Sequence, residues 1–130
     1  MTETIGTEVI RVVERPEEFF LQENLYGRIL SDTPNATAVF ARIRPREQQS
    51  HHVQNRPNGG DEVLFLFGGQ FEVRTATSVS GPFTADPENP VFIYVKSGDA
   101  LSIRNVGDSD LCFFTVLAPG YKEGEITYLE

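Results

Sequence analysis

No stretch of this sequence sustains a helical apolar repeat for the three turns a packed helix needs, while short apolar segments recur along most of its length. Residues 7–13 alternate loosely and are rich in Val and Ile, which predicts a strand. Residues 15–20 predict a single helical turn with Pro16 near its first position. Residues 26–31 form a second short strand, closed by the turn cluster Asp32-Thr33-Pro34-Asn35. In residues 36–44, Ala38, Phe40, Arg42 and Arg44 share one face, and Val39, Ala41 and Ile43 share the other. Residues 62–67 are apolar on both faces, as in a strand buried within a closed barrel or a sandwich. Gly68-Gly69 reads as a hairpin turn, with residues 70–76 returning and residues 77–90 forming a long loop. Residues 91–95, 100–105 and 111–117 complete the series, separated by Gly98-Asp99 and Gly107-Asp108-Ser109. Short strands at near-regular spacing predict an all-β sandwich or barrel, and 130 residues fit a single domain.

The formal net charge of -8 argues against two partner classes. A nucleic-acid backbone needs a basic surface that releases counterions, and an anionic membrane attracts the same kind of surface. The expected partners are therefore a small-molecule substrate, with no nucleic acid and no membrane. The single cysteine, Cys112, cannot form an intrachain disulfide and sits in an apolar run, where it reads as a small hydrophobe. The first residues carry no basic-then-apolar leader pattern, and no apolar run reaches a membrane-spanning length. The expected location is cytoplasmic.

The chemistry gathers around the two histidines, His51 and His52. They precede a polar loop and then Glu62, which opens the doubly apolar strand. Imidazole and carboxylate on neighbouring strands make a metal-site or an acid/base layout. With two histidines in all, no site within one chain can use three.

These residues resemble the cupin superfamily. Glu62, followed by six residues and then Gly69, matches the end of the first cupin motif, G-x5-H-x-H-x3-4-E-x6-G. His52-x-Gln54 matches its H-x-H element with Gln in place of the second histidine. Asn58-Gly59-Gly60 lengthens the spacer, and Arg46 stands where the motif opens with Gly. The second motif keeps Gly98 and Asn105 but has Leu101 in place of its histidine. The resemblance spans residues 36–117 and implies a double-stranded β-helix, a cupin jelly-roll barrel, over residues 1–130, with residues 1–35 as N-terminal strands and arm. It also implies a homodimer in which the strand at residues 7–13 adds to the partner's sheet. The layout looks most like small cupins of bacterial secondary metabolism, some of which resemble aromatic polyketide cyclases.

In cupins the first-motif residues point inward and hold Fe, Mn, Ni or Zn. Here that implies a divalent-metal set of His51, His52 and Glu62. Strand alternation sends the two histidines to opposite faces unless a bulge intervenes, so His52 shares the inward face with Gln54. Three readings follow. In the first, His52 is a base oriented by Glu62, with Gln54, Arg42, Arg104 and Tyr94 binding substrate; Tyr121 is a further possible donor. That enzyme would cyclise, isomerise or dehydrate an apolar or aromatic, polyketide-like molecule. The second is a metal-dependent oxygenase or cyclase. The third is a non-catalytic ligand-binding or sensor barrel. For the arginines the alternative to binding substrate is to be solvated or paired to acidic groups.

Overall fold

In a computed structural model, which describes residues 7–19, 23–56 and 60–129, one long strand joins two antiparallel sheets. The strands are β1 (Glu17–Phe19), β2 (Tyr26–Asp32), β3 (Thr37–Ile43), β4 (His52–Gln54), β5 (Asp61–Arg74), β6 (Val79–Ala85), β7 (Val91–Val95), β8 (Ala100–Asn105), β9 (Leu111–Ala118) and β10 (Ile126–Tyr128). The first half of β5 pairs with β9 and β7, and β9 continues through β3 and β2 to β1. Its second half pairs with β6 and β8, and β8 continues through β4 to β10.

Alternation along the strands fills the space between the sheets. Val39, Ala41 and Ile43 of β3, Leu64 and Leu66 of β5, and Leu111 and Phe113 of β9 are buried in one cluster with Phe71, Leu101 and Ile103. Each large side chain so buried contributes roughly 1.5–3 kcal/mol from lost water contact. Leu101, in the place of the missing second-motif histidine, lies opposite His52 in the β4–β8 register and belongs to this core.

Four sequence expectations are corrected. Gly68-Gly69 is not a hairpin: β5 runs through it and bends from one sheet to the other, with a register shift between Leu66 and Gly68 against β9. Gly69 has φ +120°, and a Cβ there would lie 3.1 Å from the Cα of Leu111. The close crossing of β9 therefore requires glycine. Residues 77–90 contain β6, paired to the second half of β5. Residues 7–11 carry no regular structure and lead into a 3₁₀ turn at Val12–Glu14; Val9 and Val13 stand in solvent without a sheet to bury them. Glu17–Phe19 is a strand paired to β2 rather than a helical turn, and Phe20 lies outside the described residues. Among the described residues no helix is long and apolar enough to cross a membrane.

Asn105 is fully buried and ties the end of β8 to its surroundings. Its amide donates to the carbonyls of Ile43 and Ser109 at 2.9 Å, and its carbonyl accepts from the Gly107 N–H at 2.9 Å. Asn105→Ala leaves these backbone groups without a partner away from water. It is expected to cost about 2–3 kcal/mol in urea unfolding, whereas a loss below about 1 kcal/mol would mean water replaces the amide.

Candidate functional site

Strand parity in β5 sends Glu62, Leu64 and Leu66 inward, so a carboxylate enters a face that is otherwise apolar. Its Oε1 accepts from Gln54 Nε2 at 3.1 Å, and its Oε2 accepts from Thr115 Oγ1 at 2.5 Å. Gln54 comes from β4 and Thr115 from β9, where Leu111, Phe113, Thr115 and Leu117 all face inward. Burial pushes the Glu62 carboxyl from an ordinary 4.5 up to about 7. The Thr115 hydrogen bond and the positive charge of Arg56 oppose that rise, and burial outweighs both.

Beside this trio lies a cavity of about 20 Å³, walled by Leu25, Leu64, Phe113 and Leu117, with half-buried Tyr121 and Ile126 at its outer end. That volume accommodates about one water molecule. Gln54 Oε1, which borders it, is buried without a hydrogen-bond partner among the described residues. Exchanging the amide's oxygen and nitrogen would only move the vacancy to the other atom. A buried amide in this position calls for a polar atom from water or ligand.

Arg56 closes the same end of the barrel. Its guanidinium is buried, pairs with Glu125 Oε1 at 3.2 Å and donates to the Pro119 carbonyl. Its backbone N–H donates to Ser97 Oγ at 2.8 Å. The Tyr121 N–H donates to Thr37 Oγ1 at 2.8 Å. Together these contacts hold residues 119–125 across the mouth.

The remaining candidates fall elsewhere. His52 is buried on the same side of β4 as Gln54, and its Nδ1 lies 2.9 Å from the Ser50 carbonyl. A carbonyl only accepts, so Nδ1 carries the proton and Nε2 the lone pair. Burial lowers the His52 pKa and keeps the ring neutral. His52 is not among the described residues lining the Glu62 cavity, and the structure brings Gln54 and Thr115, not His52, to the carboxylate. His51 lies on the opposite parity and is half-buried. Its pKa is lowered by burial and then by Arg74, and its Nε2 has no partner among the described residues.

An inward Arg42 is corrected: its face of β3 is the outer one. There it binds Glu17 at 2.6 and 2.7 Å and Asp110 at 2.8 Å, and lies 5.1 Å from the Tyr26 ring centroid. Arg104 is likewise exposed on an outer face, 4.0 Å from Glu72. Tyr94 is 56% exposed and donates to Asp61 Oδ2 at 2.5 Å. None of the three is among the described residues around the Glu62 cavity.

The fit to a metal is poor. Among the described residues no three His, Cys, Asp or Glu side chains converge, so His51, His52 and Glu62 do not form a shell. Both Glu62 oxygens are engaged, and the carboxyl's affinity for a proton is raised. A dication binds the deprotonated form, and the amide of Gln54 is a weak substitute for imidazole.

Thr115, Arg56 and Glu125 went unread in the sequence. Thr115 had a signal, as the one polar residue in the inward alternation of residues 111–117. Arg56 and Glu125 stand 69 residues apart and had none.

No protein-family model matches this sequence, and no functionally curated protein matches it. Solved structures do resemble it in fold. A Klebsiella pneumoniae protein with a double-stranded β-helix domain superposes with a TM-score of 0.73 at 17% identity, over 96% of this chain and 99% of the other. The Streptomyces protein PAC13, crystallised as a variant with uridine, gives 0.73 at 15% identity over 96% and 92%. The cupin domain of Schizosaccharomyces pombe Cnp3 gives 0.58 at 18% identity over 75% and 66%. Two curled sheets sharing β5, with the first-motif Glu62 facing their common interior, make this chain a double-stranded β-helix with the fold of a small cupin.

Proposed function

We propose that this chain is a cupin-fold enzyme for a small hydroxy- or carbonyl-bearing molecule, with Glu62 as its proton-transfer group. One observation carries the reading: a carboxyl buried between Gln54 and Thr115 at a water-sized cavity, with an amide oxygen beside it that has no partner among the described residues. With its pKa at about 7, Glu62 is populated in both forms near neutral pH, as a general acid–base group requires. As a carboxylate it takes a proton from a carbon next to the substrate carbonyl. As the acid it returns that proton to a departing hydroxyl, which leaves as water, or to the carbonyl carbon while the substrate's own hydroxyl passes its proton to the former carbonyl oxygen, which completes an isomerisation. Gln54 Oε1 accepts from a substrate hydroxyl, and the walls of Leu64 and Phe113 keep bulk water away. A cavity of about 20 Å³ takes one polar group of a substrate and not a whole molecule, so the rest of the substrate lies outside it, past Tyr121 and Ile126. His52 supports the Gln54 strand and is not the proton carrier in this scheme.

The test follows C–H to C–D exchange by proton NMR in D₂O. The probes are small α-hydroxy carbonyl compounds and nucleosides, the class of the uridine in PAC13. Exchange above the buffer rate should fall by about 100-fold or more in Glu62→Gln. Exchange that survives the substitution, or is never seen, overturns the reading. Saturation transfer to a probe without exchange would leave a non-catalytic binding barrel.

A further inference from the structure

Three side chains that follow one another along β4 and its continuation turn inward. His52, Gln54 and Arg56 alternate with Val53 and Asn55, and all three are buried, Arg56 to 5% exposure. Inward side chains of one strand start roughly 6.8 Å apart, so a single small molecule spans from Gln54 to Arg56. Arg56 is not among the described residues lining the closed cavity; it lies where residues 119–125 cross the mouth. A guanidinium stays charged, and a charge taken out of water has to be paired. Among the described residues, both partners of this guanidinium belong to the crossing segment: Glu125 Oε1 at 3.2 Å and the Pro119 carbonyl. Each takes one N–H, and the buried Nε–H has no partner among the described residues. A guanidinium is shaped to hold one carboxylate through two parallel N–H bonds, and Glu125 uses a single one.

The segment that supplies these partners is lightly seated. Residues 121–129 include no fully buried side chain, and Lys122, Glu123 and Gly124 stand in solvent. Beyond Arg56, residues 119–125 are tied to the barrel by single hydrogen bonds. The Gly120 N–H donates to the Pro34 carbonyl, the Tyr121 N–H to Thr37 Oγ1, and the Asn55 N–H to the Glu125 carbonyl. A segment with few buried apolar contacts opens locally while the core stays folded.

We propose that Arg56 selects the substrate: with residues 119–125 lifted, it holds the carboxylate of a small hydroxy- or oxo-acid whose other end reaches Gln54 and Glu62. This rests on the reading of the Glu62 cavity as the place of the substrate's reacting end, and it adds the charge of the molecule. The incoming carboxylate takes the free Nε–H together with a neighbouring N–H, and Glu125 turns out to water with the segment that carries it. One carboxylate replaces another, so the buried cation is paired before and after the exchange. A single guanidinium beside two carboxyls, Glu62 and Glu125, suits a monoanion and not the double charge of a phosphate. In a chain of net charge -8 a small acid gains nothing from general attraction, so its capture rests on this one cation.

The test compares 5-hydroxy-4-oxopentanoate with its methyl ester, which carries the same hydroxyketone and no charge, by titration calorimetry of the full chain. The acid should bind about 10-fold more tightly than the ester, or better. Glu125→Gln removes the competing charge and keeps the length of the side chain; it should widen that preference by about a further 10-fold. Arg56→Gln should abolish the preference. Because Arg56 also ties the mouth together, the unaltered protein and Glu125→Gln decide the matter where that variant does not fold. Equal binding of acid and ester, binding of neither, or a preference that Glu125→Gln fails to widen overturns the proposal. C–H exchange in D₂O, followed on the same two compounds, separates this inference from the one beneath it. A preference for the acid without exchange keeps Arg56 as the selecting residue and removes Glu62 as the acid–base group. Exchange with equal binding of acid and ester keeps Glu62 and removes Arg56.

Discussion

Glu62→Gln is expected to be more stable than the unaltered protein at pH 8, by about 3 kcal/mol relative to the difference at pH 4. The folded carboxyl titrates at about 7 against an ordinary 4.5, so between those values the folded state holds a proton that the unfolded chain has released. Stability therefore falls as pH rises through that window and levels off above it, by about 1.4 kcal/mol for each unit by which the two values differ. The substitution keeps the length of the side chain and removes the ionisation, with the amide oxygen still able to accept and the amide nitrogen donating to the Thr115 hydroxyl, which can accept as well as donate. His52 contributes the opposite slope: its folded pKa is lowered, so its contribution is lost as pH falls below the ordinary imidazole value. Both proteins carry that histidine, and it cancels in the comparison. Urea unfolding of the two proteins at pH 4 and pH 8 measures the difference. Parallel stability profiles would mean that the carboxyl is hydrated and titrates normally, which would remove Glu62 as a neutral-pH acid–base group.

The residue behind this pH dependence is one that the sequence itself singled out, and the reasons some other residues were misread are physical. Glu62 opens a doubly apolar strand, so alternation alone sends a carboxylate inward. Gln54 followed from the same parity applied to His52. Arg42 was open to the same logic: Val39, Ala41 and Ile43 are all apolar, so the face carrying Arg42 is the one left to solvent. Gly68-Gly69 was ambiguous because a hairpin and a bend both want glycine, and only the crossing of Leu111 decides between them. Arg46, where the family motif has glycine, adopts φ +68° and donates to the Val106 carbonyl and to Asp108. The Arg56–Glu125 pair depends on β10 returning beside β4, and no local pattern announces a contact made by so distant a closure.

Phe113→Ala is expected to cost about 3–5 kcal/mol, because the ring is buried, contacts both sheets' core and leaves a space that the strands cannot close around. The substitution also has a chemical consequence. Phe113 walls the cavity beside Glu62, so removing the ring extends a water-sized space that already carries a carboxyl and an unpartnered amide oxygen. A space with polar groups on one side takes up water, whereas an all-apolar one stays dry. Hydration removes the burial that holds the carboxyl up, and the Thr115 hydrogen bond and Arg56 charge then act unopposed. The Glu62 titration followed by carbon NMR should accordingly fall from about 7 toward 4.5. Phe71→Ala supplies the comparison: that ring is equally buried, in the second half of β5, and is not among the described residues lining the cavity. It should cost a similar amount of stability and leave the Glu62 titration where it was. If both substitutions shift Glu62 equally, its raised pKa reflects the compactness of the whole barrel. If only Phe113→Ala does, the ring that packs the core is also what sets the proton affinity of the site.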